Sequence, residues 1–345
     1  MNRGHFRRVV RSLFATPGDS LITLVILALA IHAVQAIVTW AGHDADWLAV
    51  TANLRFLLAG TAPSRLDPQM WALWGALLAL AGLLVAACLG RWPRRDGRHA
   101  RRAVLAVAAT LVLAVGGLVS VIGIAHVGGL LLSVLATALA ALLSLPIGVL
   151  LALGRRSRLA AVEVVCTAYV ELMRSLPLLL VIYVVWVAVP LLAPTWGLDD
   201  FFRGLAGLVL FFSAYVSEYV RSGLQSVPRG QLDAARALGL GPFDVNVHVV
   251  FPQALRVVVP TLVGNVLDIF NATPLLFIIG LTDFLRAGQL ILASPTYTGR
   301  EVEIYGILLL VYFTIGSVLT YASRRLERRP DAEPISNRLG RGEIA

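Results

Sequence analysis

Lysine is absent from this chain of 345 residues, whose 29 basic residues are all arginine. A phosphate-binding loop of the G-x-x-x-x-G-K type needs a lysine on the phosphates, so ATP hydrolysis by such a site is excluded here. Charge is scarce too. Charged residues make up 14% and hydrophobic residues 58% of the chain, whereas soluble domains carry about 25% and about 45–50%. Only two cysteines occur, Cys88 and Cys166, each in an apolar stretch and without a C-x-x-C or zinc-like Cys/His spacing, so both read as small buried hydrophobes. The six histidines are scattered, and neither H-E-x-x-H nor G-x-S-x-G occurs, which argues against a membrane-embedded hydrolase. No bound cofactor or metal is expected.

What is present is a succession of apolar runs. At about 20 residues per crossing of a hydrocarbon core about 30 Å thick, spans are placed at 21–40, 70–89, 103–124, 129–153, 176–192, 205–220, 257–280 and 304–321. The first follows Arg3, Arg7, Arg8 and Arg11 and is long enough to span, so it reads as an anchor and not a cleaved signal. The net charge of +9 does not indicate nucleic acid, because the arginines sit between apolar runs instead of forming a soluble basic face. They cluster at Arg91–Arg102, Arg155–Arg158, Arg221–Arg256 and Arg324–Arg341, all on one side if the N-terminus is inside. By the positive-inside rule that side is cytoplasmic, and both termini lie there.

The chain divides by character. Residues 1–126 carry about three spans with little polar matter beyond His32 and Gln35, and read as a membrane extension. Residues 127–325 hold helices broken by Pro146, Pro177, Pro190, Pro260 and Pro274, and residues 326–345 form a polar tail. Broken helices at membrane depth occur where protein or a cavity satisfies the backbone. Charged side chains there are expensive and face protein or a polar path. Glu171 with Arg174, and Glu218 with Arg221, are i,i+3 pairs that read either as solute-binding or gating groups or as structural ion pairs. Asn265, Asp268, Asn271 and Thr273 fall in the seventh span and either line a path or bond between helices; Asn265 and Asp268 are expected to share a face.

Between the sixth and seventh spans, residues 222–252 are too apolar for a linker. Pro228 suits a helix start, Leu232, Ala235 and Leu238 recur every three residues, and Gly239 and Gly241 end the run. A second helix from Pro242 to about Val250 completes a helix, glycine turn and helix. The small apolar face suits either close docking of a partner or residence in the headgroup layer.

Asp233-Ala234-Ala235, three residues, Gly239, nine residues and Val249-Val250-Phe251-Pro252 resembles the E-A-A-x-x-x-G-(nine residues)-I-x-L-P signature of permease subunits of ABC importers. The runs 213–221 and 252–256, and Tyr169–Leu179 with its E-x-x-R-x-x-P-L pattern, resemble the polar amino acid branch of that family. The leading spans resemble those of the extended permeases of general L-amino acid uptake systems. The resemblance covers about residues 127–325 and implies an all-α type I importer fold of about five helices, here preceded by about three more. It implies a bacterial inner-membrane subunit that pairs with a second permease, an ATP-binding cassette ATPase dimer and an extracytoplasmic amino-acid-binding protein, with ATP used by the ATPase. Carried onto this chain, Ala234, Ala235, Leu238 and Gly239 would pack closely against the ATPase, Asp233 would cap or pair at the helix start, and Pro252 closes the motif. One departure is clear: the family often shows K-D-T-S-L where this chain has Asn271-Ala272-Thr273-Pro274-Leu275. An importer for another small solute is the alternative, and an ion-coupled secondary transporter would leave the Ala-Gly element without a role.

Overall fold

A computed structural model of the protein describes residues 13–88 and 98–327. Arg3, Arg7, Arg8, Arg11, Arg91, Arg94, Arg95, Arg328, Arg329, Arg338 and Arg341, used above as orientation signals, lie outside the described residues, as does the tail beyond 327. The side chains of Cys88, Arg98, Arg101 and Arg102 do so as well.

Among the described residues every regular element is a helix, and the single β-bridge, Gly129 to Asp283, is isolated. Helices satisfy their own backbone groups, which lipid cannot. The described residues form two compact units, divided between Thr51 and Ala52. In the first, α1 (Pro17–Thr39) starts where Thr16 Oγ1 accepts the Asp19 N–H at 3.1 Å, with Pro17 in the first turn. None of its residues is buried. At about 1.5 Å per residue it is long enough to cross the core. The chain then turns through Trp40 and Trp47, stacked edge-on at 5.9 Å, with Trp47 Nε1 donating to Ala41 O, and into α2 (Leu48–Thr51).

The second unit opens with α3 (Leu54–Ala59), α4 (Asp67–Cys88) and α5 (Arg98–Ile122); the last two pack on each other. Then come α6 (Gly129–Gly154), α7 (Ala160–Ser175), α8 (Leu178–Leu192), α9 (Asp200–Gln225), α10 (Arg229–Ala237), α11 (Pro242–Asp244), α12 (Phe251–Ala272), α13 (Phe284–Leu292) and α14 (Glu301–Glu327). Helix α9 is the hub, packed against α6, α7, α8 and α12. Leu131 and Leu135 of α6, Ile182 of α8, Leu208 of α9 and Ile269 of α12 are fully buried in one apolar core. Gly223 lets α9 and α12 meet: a Cβ there would fall under 3.0 Å from Val258. Small residues at such crossings replace the hydrophobic effect with close contact.

The fifth apolar run departs from a single crossing. Helices α7 and α8 form one bent pair with 113° between them. Proline disfavours helical geometry in the residue before it, and Leu176, before Pro177, is extended at φ −90, ψ 145. The run at 176–192 is only the second arm, and Pro146, Pro190 and Pro260, expected as breaks, instead lie inside the continuous helices α6, α8 and α12. At about 1.5 Å per residue, the 15 residues of α8 do not cross the core alone.

The second helix expected between the sixth and seventh spans also differs. Pro242 opens α11, but a π-helical turn (Val245–Val250) carries it into α12 without a break. Pro252 stands in the first turn of α12. A proline within a continuous helix lacks the N–H for the carbonyl four residues back and crowds it, and the wider turn, closed by Phe251 N to Asn246 O, provides room.

Candidate functional site

Two constellations emerge, both toward the end of the second unit where α6 closes. The first is built on Glu218 of α9, whose side chain is only 14% exposed. Arg155, the residue that caps α6, donates from Nη1 to Glu218 Oε1 at 2.7 Å, and Arg174, near the end of α7, donates to the same oxygen at 3.1 Å. Arg221 takes the other oxygen through Nε at 2.9 Å and Nη2 at 2.7 Å, and its Nη1 donates to Gln225 at 2.8 Å. Arginine forks suit such shared recognition of a carboxylate. Three helices are thereby pinned at one point. Arg174 also lies over the Tyr215 ring at 5.9 Å, and the Tyr169 hydroxyl donates to Leu210 O at 2.7 Å and pairs with Ser213 Oγ at 3.0 Å.

Two i,i+3 pairs were expected here, and one forms. Glu218 and Arg221 pair as the spacing predicts. Glu171, however, pairs with Arg155 at 3.6 Å and is 63% exposed, while Arg174 turns to Glu218. The better-buried acid on α9 draws the guanidinium away from its exposed neighbour on the same helix. Arg155 was read only as an orientation signal; its partner lies 63 residues on, beyond any local spacing rule.

The candidates in the seventh span, Asn265, Asp268 and Asn271 of α12 and Thr273 just after it, separate. Asn265 is 3% exposed and Thr273 is fully buried, its hydroxyl donating to Phe270 O at 2.8 Å, whereas Asp268 and Asn271 are exposed. The boundary between packed and open faces runs between Asn265 and Asp268, because three residues advance about 300° and not a full turn.

The second constellation is α10. Pro228 is its N-cap, and its C-terminus closes with Gly239 at φ +82. Gly239 N donates to Arg236 O at 2.9 Å and Leu240 N to Ala235 O at 3.2 Å, the paired bonds of a Schellman end. A side chain at such a φ is strained, so glycine suits the turn. Ala235 is buried with Leu224, Val227, Val245, Val250 and Ala254, and Leu232 packs partly against them. Leu238 departs from the expected shared face: it is 83% exposed, as Phe243 is at 76%. Two steps of three residues rotate Leu238 about 120° away from Leu232. Asp233 stands past the helix start, so it pairs with Arg236 at 3.6 Å and caps nothing; Ala234 and Pro252 are exposed. A side-chain bond missed by spacing joins Gln231 of α10 to Gln253 of α12.

At the opposite end, Gly129 N donates to Thr282 O at 2.8 Å and Gly128 N to Ala59 O at 3.3 Å. Asp283, fully buried, caps α13 by accepting from Leu285 N at 3.1 Å and Arg286 N at 3.0 Å. Burial pushes its carboxyl up to about 6, only partly opposed by those N–H groups.

Residues 144–331 match the family described as binding-protein-dependent transport system inner membrane component. The inner membrane amino-acid ABC transporter permease protein YhdY of Escherichia coli (strain K12) is 32% identical over 337 residues, covering 93% of this chain and 92% of that protein. The glutamate/glutamine/aspartate/asparagine transport system permease protein BztC of Rhodobacter capsulatus is 32% identical over 204 residues, which cover 59% of this chain and 47% of that one. A crystal structure of an amino acid ABC transporter with histidines aligns with a TM-score of 0.54 and 28% identity, over 58% of this chain and 92% of that chain. With the bent pair α7–α8, the Ala-Gly hairpin and these matches together, the chain belongs to the inner membrane components of binding-protein-dependent transport systems, as a multi-pass permease subunit and not an enzyme.

Proposed function

We propose that this chain is the membrane-spanning permease of an ATP-driven importer of polar L-amino acids. The observation that carries the reading is α10: a short helix stapled to α9 and α12 by a buried face and closed by a glycine turn, with Leu238 at its end and Phe243 of α11 exposed. Large apolar side chains left bare beside an alanine face suit a protein partner. In this reading the partner is the ATP-binding cassette ATPase dimer, met by Asp233, Ala234, Leu238 and Gly239, with Ala235 and Pro252 setting the pose. ATP stays with that partner. A second permease and an extracytoplasmic binding protein complete the assembly.

The arginine-bearing end is then cytoplasmic, with both termini on that side, and residues 127–325 are the transport module after an extension at 1–126. Glu218, Arg155, Arg174 and Glu171 hold α6, α7 and α9 as one body at the inner boundary of the path. Asp268 and Asn271, on the open face of α12, are the groups a passing solute meets; a carboxylate and an amide can bind an ammonium group and a polar side chain. Asn265 and Thr273 support that helix from its packed side. Motion driven by ATP must favour one arrangement of these helices over another through contacts that differ between them. The names of the aligned relatives support the amino acid class.

The test is Gly239→Asp. Nothing lies within 4 Å of a Cβ at that position, and aspartate is one of the few side chains that tolerate a positive φ, so the strain at φ +82 stays within the turn and the variant is expected in the membrane at normal level. Co-purification of the ATPase and uptake of labelled amino acids by the reconstituted complex are expected to be lost. Retention of both refutes the docking role.

A further inference from the structure

We propose that the hydrogen bond between Gln231 and Gln253 locks the register of α10 against α12, which makes Gln253 a positioning residue of the transport cycle. The inference rests on the coupling reading above and adds the route by which displacement leaves α10.

The buried contacts of α10 are apolar, and its one buried side chain is small: Ala235, with Leu232 beside it, against Leu224, Val227, Val245, Val250 and Ala254. Such contacts are non-directional, and an alanine offers a shallow ridge, so a helix pushed at one end can swivel on them. A hydrogen bond weakens steeply when its angle or length changes. Gln253 Nε2 donates to Gln231 Oε1 and also to Val249 O at 3.0 Å. A side-chain amide has two N–H donors, and both are engaged. The bond to Val249, one turn back, holds the Gln253 side chain in the pose that meets Gln231. Both glutamines are partly buried, which limits competition by water.

The lever geometry follows from where the bond sits. Gln231 lies near the start of α10, while the exposed Leu238 follows its last turn, about 10 Å further along at 1.5 Å per residue. A partner moving Leu238 would turn α10 about its apolar contact. With the start of α10 tied to Gln253, the same movement drags the first turn of α12, and with it the helix that carries Asp268 and Asn271.

The experiment uses the full complex of chain, ATPase, second permease and binding protein in proteoliposomes, with a radiolabelled mixture of L-amino acids and ATP hydrolysis read in parallel. Gln253→Ala and Gln231→Ala are each expected to remain in the membrane, to keep the ATPase bound and to keep hydrolysing ATP. Uptake per ATP is expected to fall about fivefold, as loss of one modest hydrogen bond implies, and the double variant is expected to be no worse than either single one. Gln231→Glu combined with Gln253→Lys is expected to restore the ratio. Unchanged uptake per ATP, or losses that multiply in the double variant, overturns the proposal. Loss of the ATPase from the single variants also overturns it, since the pair would then serve docking, yet leaves the coupling reading standing. That reading fails separately, if Gly239→Asp keeps its ATPase.

Discussion

Replacing Glu218 with glutamine removes one charge and almost no volume, so it isolates what the carboxylate does for the three arginines around it. Arg155 decides the size of the effect, because its side chain is 11% exposed while Arg174 and Arg221 are 39% and 34% exposed. Water can rehydrate the latter two when their partner is lost. Breaking a buried ion pair from one side costs about 3–5 kcal/mol. With Arg155 as the one poorly hydrated cation, and Glu171 only 3.6 Å away as a weak substitute, the low end applies, roughly 3 kcal/mol. Glu171→Gln is the internal control: its side chain is 63% exposed, so its loss falls in the range of about 0–1 kcal/mol for surface pairs. The assay is thermal and denaturant unfolding of the detergent-solubilised chain, followed by the fraction remaining monodisperse, at low and high salt. Glu218→Gln should lower the midpoint several times more than Glu171→Gln, with little dependence on salt because the pair is shielded. Adding Arg155→Leu should recover part of the loss, since no buried cation is then left alone. Equal shifts for the two glutamate variants, or a Glu218→Gln loss below about 1 kcal/mol, would refute the reasoning that Glu218 pins α6, α7 and α9.

Three further outcomes are expected. Asp283 has its carboxyl raised from 3.8 to about 6, so its contribution is complete below 3.8 and is lost as pH rises through about 6, a loss of roughly 3 kcal/mol. Asp283→Asn keeps a capping oxygen and should flatten that slope in unfolding midpoints measured across the interval; an unaltered slope would assign it elsewhere. Gly223→Ala sets a Cβ into Val258 and should cost about 1–3 kcal/mol through strain, read as a lower midpoint, with Gly230→Ala, where nothing lies within 4 Å, as the neutral comparison. Asp268→Asn should change which amino acids are taken up, or their KM, while the amount of assembled complex stays the same; an identical uptake profile would remove Asp268 from the path.

Much of the architecture was legible because it is written in local patterns. Apolar runs of sufficient length, with arginines between them, give helices in lipid, and the helices at 129–154 and 301–327 fall close to their expected places. Pro228 and Gly239 bracket α10 for reasons of backbone geometry that act within a few residues. Elsewhere the same local reading stopped short. Pro177 was legible as a break, but hydropathy, which reports burial in lipid and not direction, did not show that the run at 176–192 is the second arm of one bent pair with α7. Leu238 looked like part of the packed face by its three-residue spacing, yet three is not the helical period, and it emerged on the surface.

By itself the sequence determined that this chain lives in a membrane, that its backbone is helical, and that a short alanine-and-glycine hairpin interrupts the spans, because each follows from composition or from constraints within one turn. Only the tertiary structure decided which charges meet. Arg174 passes over Glu171, three residues away, for Glu218, 44 residues away, and Arg155 reaches the same carboxylate across 63 residues. Where charge is costly to leave unpaired, partners are chosen by depth and proximity after the helices have packed, and no spacing in the chain records that choice.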